Sequence, residues 1–408
     1  MKTLMRKIEI PLLKIQVMEK IPYGRQDITQ EDIDAVVRIL KSDFLTQGPT
    51  VKSFEEKFAQ YVGSDYAIAV SNGTAALHLC ALALDIRPED KVITTPITFA
   101  ASANCVRYCG GEVIFSDIDP DHYTLDIEGV RNLLKKAPKN TFKGIIPVDF
   151  AGKAVRLDAF RALAEEYNLW IIEDACHAPG GFFTDTPGNI QKCGNGTFAD
   201  LAIFSFHPVK HITSGEGGMI TTNNERLYRK ILNLRTHGIQ QDLSKRIFDD
   251  SLWYYEMQEL GFNYRLTDFQ AALGMSQLER AAAGIKRRHE IAQKYLECFK
   301  EIPEITDKND ISNSGKIDEG HAYHLYVIEV EHRKELHTYL REKNIWAQIH
   351  YVPVHLMPYY RQFGWQEGDM PHAENYYKRC ISLPIFPSLK NEEQDYVISC
   401  IKAFFGKP

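Results

Sequence analysis

Lys210 is the residue in this chain whose setting most suggests chemistry. It closes the run Ser205-Phe206-His207-Pro208-Val209-Lys210 and leads into Thr213-Ser214-Gly215-Glu216-Gly217-Gly218. A lysine after an apolar, strand-like segment is ordinarily a solvated surface charge. Two other segments give it company. Glu173-Asp174-Ala175-Cys176-His177 puts carboxylates at the end of a second apolar run, where burial without a partner is costly. Ser71-Asn72-Gly73-Thr74-Ala75-Ala76 joins a third such run to a helix-like segment. A helix N-terminus there offers free N–H groups and a positive dipole end, and Thr74 adds a hydroxyl, a combination that suits a phosphate. Taken alone, that turn is a weak signal and is better explained as a plain strand-to-helix turn with an N-cap. An amine, a carboxylate and a phosphate anchor together are what pyridoxal 5′-phosphate (PLP) requires: a lysine for the Schiff base, a carboxylate to keep the pyridine nitrogen protonated, and a hold on the phosphate.

The elements that must position these groups alternate along the chain. Strand-like segments fall at 66–70, 91–95, 112–116, 144–148, 169–172 and 201–205, with helical stretches such as 156–167 between most of them. Strands apolar on both faces and separated by helices predict an α/β fold around a covered, largely parallel sheet. Residues 218–222 follow after a short loop and read as an antiparallel neighbour, a seventh strand. Open α/β sheets bind ligands at the carboxyl ends of their strands, and all three segments lie there. Upstream, Thr29 with Asp32 forms a capping-box pattern ahead of Ile33, Val36, Val37 and Leu40 at helical spacing. Residues 237–266 read as a polar, aromatic-rich connection, 267–300 as a long helical region and 303–320 as a loop. A smaller α+β unit follows: strand 324–330, helix 332–343, strand 345–351 and two terminal helices. The division expected is an extension at 1–20, a large domain at 21–266, and a linking helix with a small domain at 267–408.

Composition removes several classes of function. The formal charge is −6 over 408 residues, so no chain-wide basic field exists to hold nucleic acid. The uncharged run from Tyr66 to Leu84 is long enough to cross a bilayer, but Ser71-Asn72-Gly73-Thr74 interrupts it and it reads as strand, turn and helix. No signal-peptide pattern stands at residues 8–18. The eight cysteines form no CxxC pair and no ladder of short spacings, so reduced thiols and a cytoplasmic setting are expected. Gly194-Asn195-Gly196-Thr197-Phe198-Ala199 meets the loose dinucleotide pattern but leads into a strand rather than a helix, and is rejected. His207 with His211 and His321 with His324 have helical spacing, yet no HExxH glutamate accompanies them, and no metal site is expected.

The ordered motifs resemble the DegT/DnrJ/EryC1/StrS-type PLP-dependent nucleotide-sugar aminotransferases. They are Ser71-Asn72-Gly73-Thr74-Ala75-Ala76-Leu77-His78, Glu173-Asp174-Ala175-Cys176-His177-Ala178, Ser205 through Lys210, Gly215-Glu216-Gly217-Gly218, and Gly261-Phe262-Asn263-Tyr264-Arg265-Leu266-Thr267-Asp268. The likeness runs from about Ile21 to the C-terminus. It implies a fold-type I, aspartate aminotransferase-like architecture: a mostly parallel seven-stranded sheet with helices on both faces and a smaller C-terminal α+β domain. It also implies roles. Lys210 would be the Schiff-base lysine and proton carrier, and Asp174 the partner of the pyridinium nitrogen. Gly73, Thr74, Ala75 and Ser205 would hold the phosphate. Phe99 would stack on the cofactor ring and His177 would lie beside it. Asn263, with Arg265, would reach the phosphate from a neighbouring subunit, which implies a homodimer with its active site at the subunit interface.

Two stretches, Phe206 through Lys210 and Gln348-Ile349-His350-Tyr351-Val352-Pro353-Val354-His355, resemble the branch serving pseudaminic acid biosynthesis. That branch moves the amino group of L-glutamate to C4 of a UDP-linked 4-keto-6-deoxy-N-acetylhexosamine. His350, Tyr351 and His355 are thereby candidates for substrate contact, with simple packing the alternative. Amination of another nucleotide-linked 4-keto-sugar is the second reading. A PLP-dependent sugar dehydratase, which would carry histidine at position 210, and a non-catalytic regulatory relative are weaker ones.

Overall fold

The computed structural model describes residues 19–240, 251, 253–310 and 314–407; the expected extension at 1–20 lies almost wholly outside them. Seven strands form the central sheet in the order Tyr66–Val70, Gly218–Thr222, Leu201–Ser205, Trp170–Asp174, Phe142–Ile146, Lys91–Thr94 and Glu112–Phe115. Gly218–Thr222 runs antiparallel to both of its neighbours, and the remaining pairings are parallel. The seven segments are those the sequence marks as strands, with ends moved by a residue or two. Their side chains are buried on both faces: Ile68, Ile93, Ile145, Ile171, Ile203 and Ile220 have no exposed surface. Packing leaves no slack at Gly144, where a Cβ would lie 2.2 Å from the Trp170 ring on the next strand.

Helices cover the sheet. Gln30–Leu40 begins at Thr29, whose N–H donates to Asp32 Oδ2 at 3.0 Å, the Asp32 half of the capping box that the sequence pattern predicts. The expected single helix over 267–300 is two, Asp268–Glu279 and Ala281–Phe299. Arg280 stands between them with φ −110° and ψ 11°, and its guanidinium is held by Asp27 and Asp32.

The C-terminal unit is built on a three-stranded antiparallel sheet, Ile305–Thr306, Tyr326–Val330 and Cys380–Leu383. Ile291, Tyr295 and Phe299 of the linking helix fill its core with Tyr326, Ile328, Leu336 and Ile381. Cys380–Leu383 has no counterpart in the sequence reading, which places only helices there. The expected strand 345–351 is regular only at Ile345–Trp346, which pairs in parallel with Ile21–Pro22. The start of the large segment is thus stitched to the small unit. Beyond Trp346 a single bridge joins Gln348 to Ser382, and the chain then runs on toward the sheet's carboxyl edge. Among the described residues, no helix is long and apolar enough to cross a membrane.

Candidate active site

The carboxyl ends of three strands converge on one cleft of about 810 Å³, within the range of sites that bury a cofactor and a small substrate. Asn72 caps the helix Gly73–Ala83, its side chain accepting the Ala75 N–H at 2.8 Å. The capping bond fixes the helix start at the cleft wall, where Gly73 and Thr74 line the cleft and their amides have no partner within the helix. Gly73 is close to its neighbours: a Cβ there would lie 3.1 Å from Ser205 Cβ and 3.5 Å from Cys176 Sγ. That leaves a concave cradle of backbone donors and a serine hydroxyl at a helix N-terminus, which fits a phosphate.

Asp174 ends its strand 5% exposed. Ser102 Oγ donates to Oδ2 at 2.6 Å and the Cys176 N–H to Oδ1 at 3.2 Å. An orientated, buried carboxylate facing the cleft is the group a protonated pyridine requires. Lys210 follows a turn closed by its N–H to the His207 carbonyl, and its Nζ lies 3.4 Å from His324 Nε2. Burial lowers the amine from its ordinary value to about 8, against the opposing pull of Cys176 and Asp174. A lysine held there can give up and regain a proton near neutral pH.

His177 has a fixed tautomer. The Ala151 N–H donates to Nδ1 at 3.2 Å, and Nε2 lies 3.2 Å from Tyr351 Oη. Burial, with Lys210 nearby, drives the ring well below its usual pKa. The neutral ring therefore carries its hydrogen on Nε2 and donates to Tyr351, which leaves the tyrosine's own hydrogen for a ligand.

The cleft brings together Gly73, Thr74, Ala75, Phe99, Asp174, His177, Ser205, Lys210, His350 and Tyr351. Phe99 is 64% exposed at its mouth, its ring 6.3 Å from that of Tyr351. Asn263 and Arg265 do not line it; they flank Tyr264, which does, on a segment bridged through Val70 and Thr236. His355 is a correction to the sequence reading. It is fully buried, lies outside the cleft lining, and bonds Glu374 Oε1 at 3.1 Å. Its contacts are those of packing: Glu374 also takes the N–H groups of Gly368 and Met370.

Sequence reasoning missed Ser102 and His324. Ser102 carries no motif signal, because its role depends on a strand more than 70 residues away. His324 belongs to a histidine pair with the i, i+3 spacing of a helix, whereas the chain there is the approach to strand Tyr326–Val330.

Comparison with known proteins decides what this arrangement serves. The profile of the DegT/DnrJ/EryC1/StrS aminotransferase family matches residues 26–402. The chain belongs to that family. Members of the DegT/DnrJ/EryC1/StrS family are PLP-dependent, and solved neighbours are in PLP and PMP forms. This protein is accordingly a PLP-dependent aminotransferase, and its cradle, carboxylate and lysine fit the cofactor. The spore coat polysaccharide biosynthesis protein SpsC of Bacillus subtilis is 39% identical over 390 residues, 94% of this chain and 96% of that protein. The UDP-4-amino-4,6-dideoxy-N-acetyl-beta-L-altrosamine transaminase of Campylobacter jejuni serotype O:2 is 37% identical over 384 residues, 92% of this chain and 95% of the relative. Helicobacter pylori PseC, an aminotransferase involved in the biosynthesis of pseudoaminic acid, superimposes with a TM-score of 0.85 at 29% identity. That match covers 95% of this chain and all of the other. The fold is therefore that of fold-type I PLP enzymes.

Proposed function

We propose that the protein transfers the amino group of L-glutamate to C4 of a UDP-linked 4-keto-6-deoxy-N-acetylhexosamine, giving UDP-4-amino-4,6-dideoxy-N-acetyl-β-L-altrosamine for pseudaminic acid synthesis. The observation that carries this reading is the convergence of Lys210, Asp174 and the Gly73–Ser205 cradle in one cleft that His350 and Tyr351 also line. The Campylobacter relative, similar over almost its whole length, supports the choice of sugar. The Bacillus relative, named for spore coat polysaccharide, supports a second reading in which another nucleotide-linked 4-keto-sugar is aminated.

When bound, PLP supplies an electron sink for the carbanion formed at the amino-acid α-carbon. The chain's own residues do the rest. Lys210 would hold the cofactor and, once free, move a proton to and from the reacting carbon at Nζ. Asp174, kept in place by Ser102 and Cys176, would hold the ring nitrogen's proton. Gly73, Thr74, Ala75 and Ser205 would bind the phosphate, and Phe99 would cover the ring at the mouth. His177 would lie beside the cofactor and orient Tyr351, whose hydroxyl hydrogen is free to donate to a sugar oxygen; His350 would line the same wall. Asn263 and Arg265 would serve a neighbouring subunit's phosphate in a homodimer, and the chain would divide at residue 266 into a large PLP-binding domain and a linking helix with a small C-terminal domain. A cytoplasmic setting accords with nucleotide-sugar substrates and with eight free cysteines.

The test is to incubate the enzyme with glutamate and a panel of UDP- and dTDP-linked 4-keto-sugars, identifying the product by mass and NMR. Amination of the UDP-linked β-L-arabino-4-ulose in preference to the others supports the proposal. Preference for a different sugar transfers the assignment to the second reading.

A further inference from the structure

His324 has no role in the assignment above, yet its surroundings single it out. It is 4% exposed, its Nε2 lies 3.4 Å from Lys210 Nζ, and its Nδ1 is buried without a hydrogen-bond partner. The other imidazoles around it are engaged elsewhere. His177 uses both nitrogens on Ala151 and Tyr351, His211 Nε2 donates to the Ala322 carbonyl at 2.8 Å, and His350 Nδ1 meets Ser382 Oγ at 2.9 Å. His324 is also held firmly. The buried Arg288 reaches from the linking helix to the carbonyls of Tyr323, His324 and Ile385, fixing the backbone from which the ring projects.

The protonation of the pair follows from chemistry. A lysine ammonium has no lone pair, so toward it His324 Nε2 can only accept, and the ring hydrogen must sit on Nδ1. Nδ1–H is then the buried donor left without a partner, a cost that calls for an explanation. We propose that His324 is the positioning residue for the Lys210 amine, its neutral Nε2 accepting an Nζ–H hydrogen bond and holding the lysine at the cleft wall whenever it is not bonded to the cofactor. The proposal rests on the assignment of Lys210 as the reactive amine.

Accepting that hydrogen bond favours the ammonium over the amine, so His324 sets how readily Lys210 releases its proton. The other titratable and charged groups facing the lysine come from several elements. Asp174, Cys176 and His177 lie at the end of strand Trp170–Asp174, and His211 on the lysine's own loop. Arg288 approaches from the linking helix, and His350 from the segment that follows strand Ile345–Trp346. Burial and Arg288 push the proton off, while Cys176 and Asp174 pull it on. The three neighbouring histidines are held neutral by burial and add no charge of their own.

The experiment follows the rate of covalent PLP uptake by cofactor-free protein against pH, a step that needs the unprotonated amine. In the unsubstituted protein the rate should rise about a midpoint near 8. His324→Phe, which has no acceptor, should lower that midpoint by about one pH unit. His324→Gln, which keeps an acceptor oxygen, should hold it near the original value. An unmoved midpoint in the Phe variant, or a Gln variant displaced as far as Phe, would overturn the proposal while leaving the site assignment intact. No covalent uptake by the unsubstituted protein would overturn both. Ring ¹⁵N NMR of the unsubstituted cofactor-free protein tests the same point without a variant. The Nδ1–H tautomer is expected for His324, and an Nε2–H tautomer contradicts it.

Discussion

Asp174→Asn removes one charge from the cleft and almost nothing else. An asparagine has the same shape, and its Oδ1 can accept the Cys176 N–H that now reaches Asp174 Oδ1 at 3.2 Å. Its amide can donate to Ser102 Oγ, 2.6 Å away in the present structure. Ser102 is then free to turn its own hydrogen to Thr98 Oγ1, at 2.7 Å. The fold should therefore survive. What changes is the hydrogen bond offered to the cofactor ring. A bond involving a charged group contributes about 1.5–3 kcal/mol against about 0.5–1.5 kcal/mol for a neutral one. The difference, about 1–1.5 kcal/mol, corresponds to roughly a tenfold weaker Kd for PLP. Turnover should fall further, since a neutral amide cannot hold the pyridine nitrogen protonated. A spectrophotometric PLP titration, steady-state kinetics and a urea melt separate the effects. An Asn variant that binds PLP and turns over like the parent would refute the role given to Asp174. One that lost its fold would refute the isosteric argument.

Lys210→Ala should abolish turnover, and borohydride treatment followed by intact-mass measurement should show no cofactor adduct; an adduct on the variant would place the covalent attachment elsewhere. His355→Ala should take one donor from the buried Glu374 carboxylate, leaving it the Gly368 and Met370 N–H groups, and cost about 2 kcal/mol in urea unfolding, with substrate KM unchanged in the folded enzyme. A raised KM without a stability loss would return His355 to the substrate site. Asp149 concerns pH. It is buried behind Asp174, with Val155 N–H on Oδ1 and with Glu173 and Cys193 close by. Burial pushes it up to about 7, and nearby Asp174 pushes the same way. Between about pH 4 and 7 the folded state thus binds a proton that the unfolded chain has released, so stability falls as pH rises through that window. Asp149→Asn should flatten this part of the profile, and urea midpoints at several pH values would show it. An unchanged slope would contradict the assignment.

Much of the scaffold was legible because its signals are local. Each sheet strand is a short apolar run bounded by turn residues, and the capping box at Thr29 needs only residues within one turn. Cys380–Leu383 was not legible. Four residues between helix Pro371–Arg379 and Pro384 carry no alternation, since every one of them is buried. The helix break at Arg280 was hidden for a similar reason, being set by contacts to Asp27 and Asp32 about 250 positions earlier. In the site, Lys210, Asp174 and the Gly73 turn could be read as strand-end motifs. His355 could not be separated from His350 by spacing, because only the fold turns one toward the cleft and pairs the other with Glu374. The resemblance to a family supplied roles that no local pattern holds, and the long-range partners Ser102 and His324 meet Asp174 and Lys210 only through the fold.

The most direct test of the central claim is transfer of nitrogen itself. The enzyme with PLP would be given ¹⁵N-labelled L-glutamate and the UDP-linked 4-keto-6-deoxy-N-acetylhexosamine, and the sugar product examined by mass spectrometry and ¹⁵N NMR. The account predicts one ¹⁵N bonded at C4, with 2-oxoglutarate formed in equal amount. A sugar that leaves dehydrated or unchanged while glutamate remains intact would contradict it.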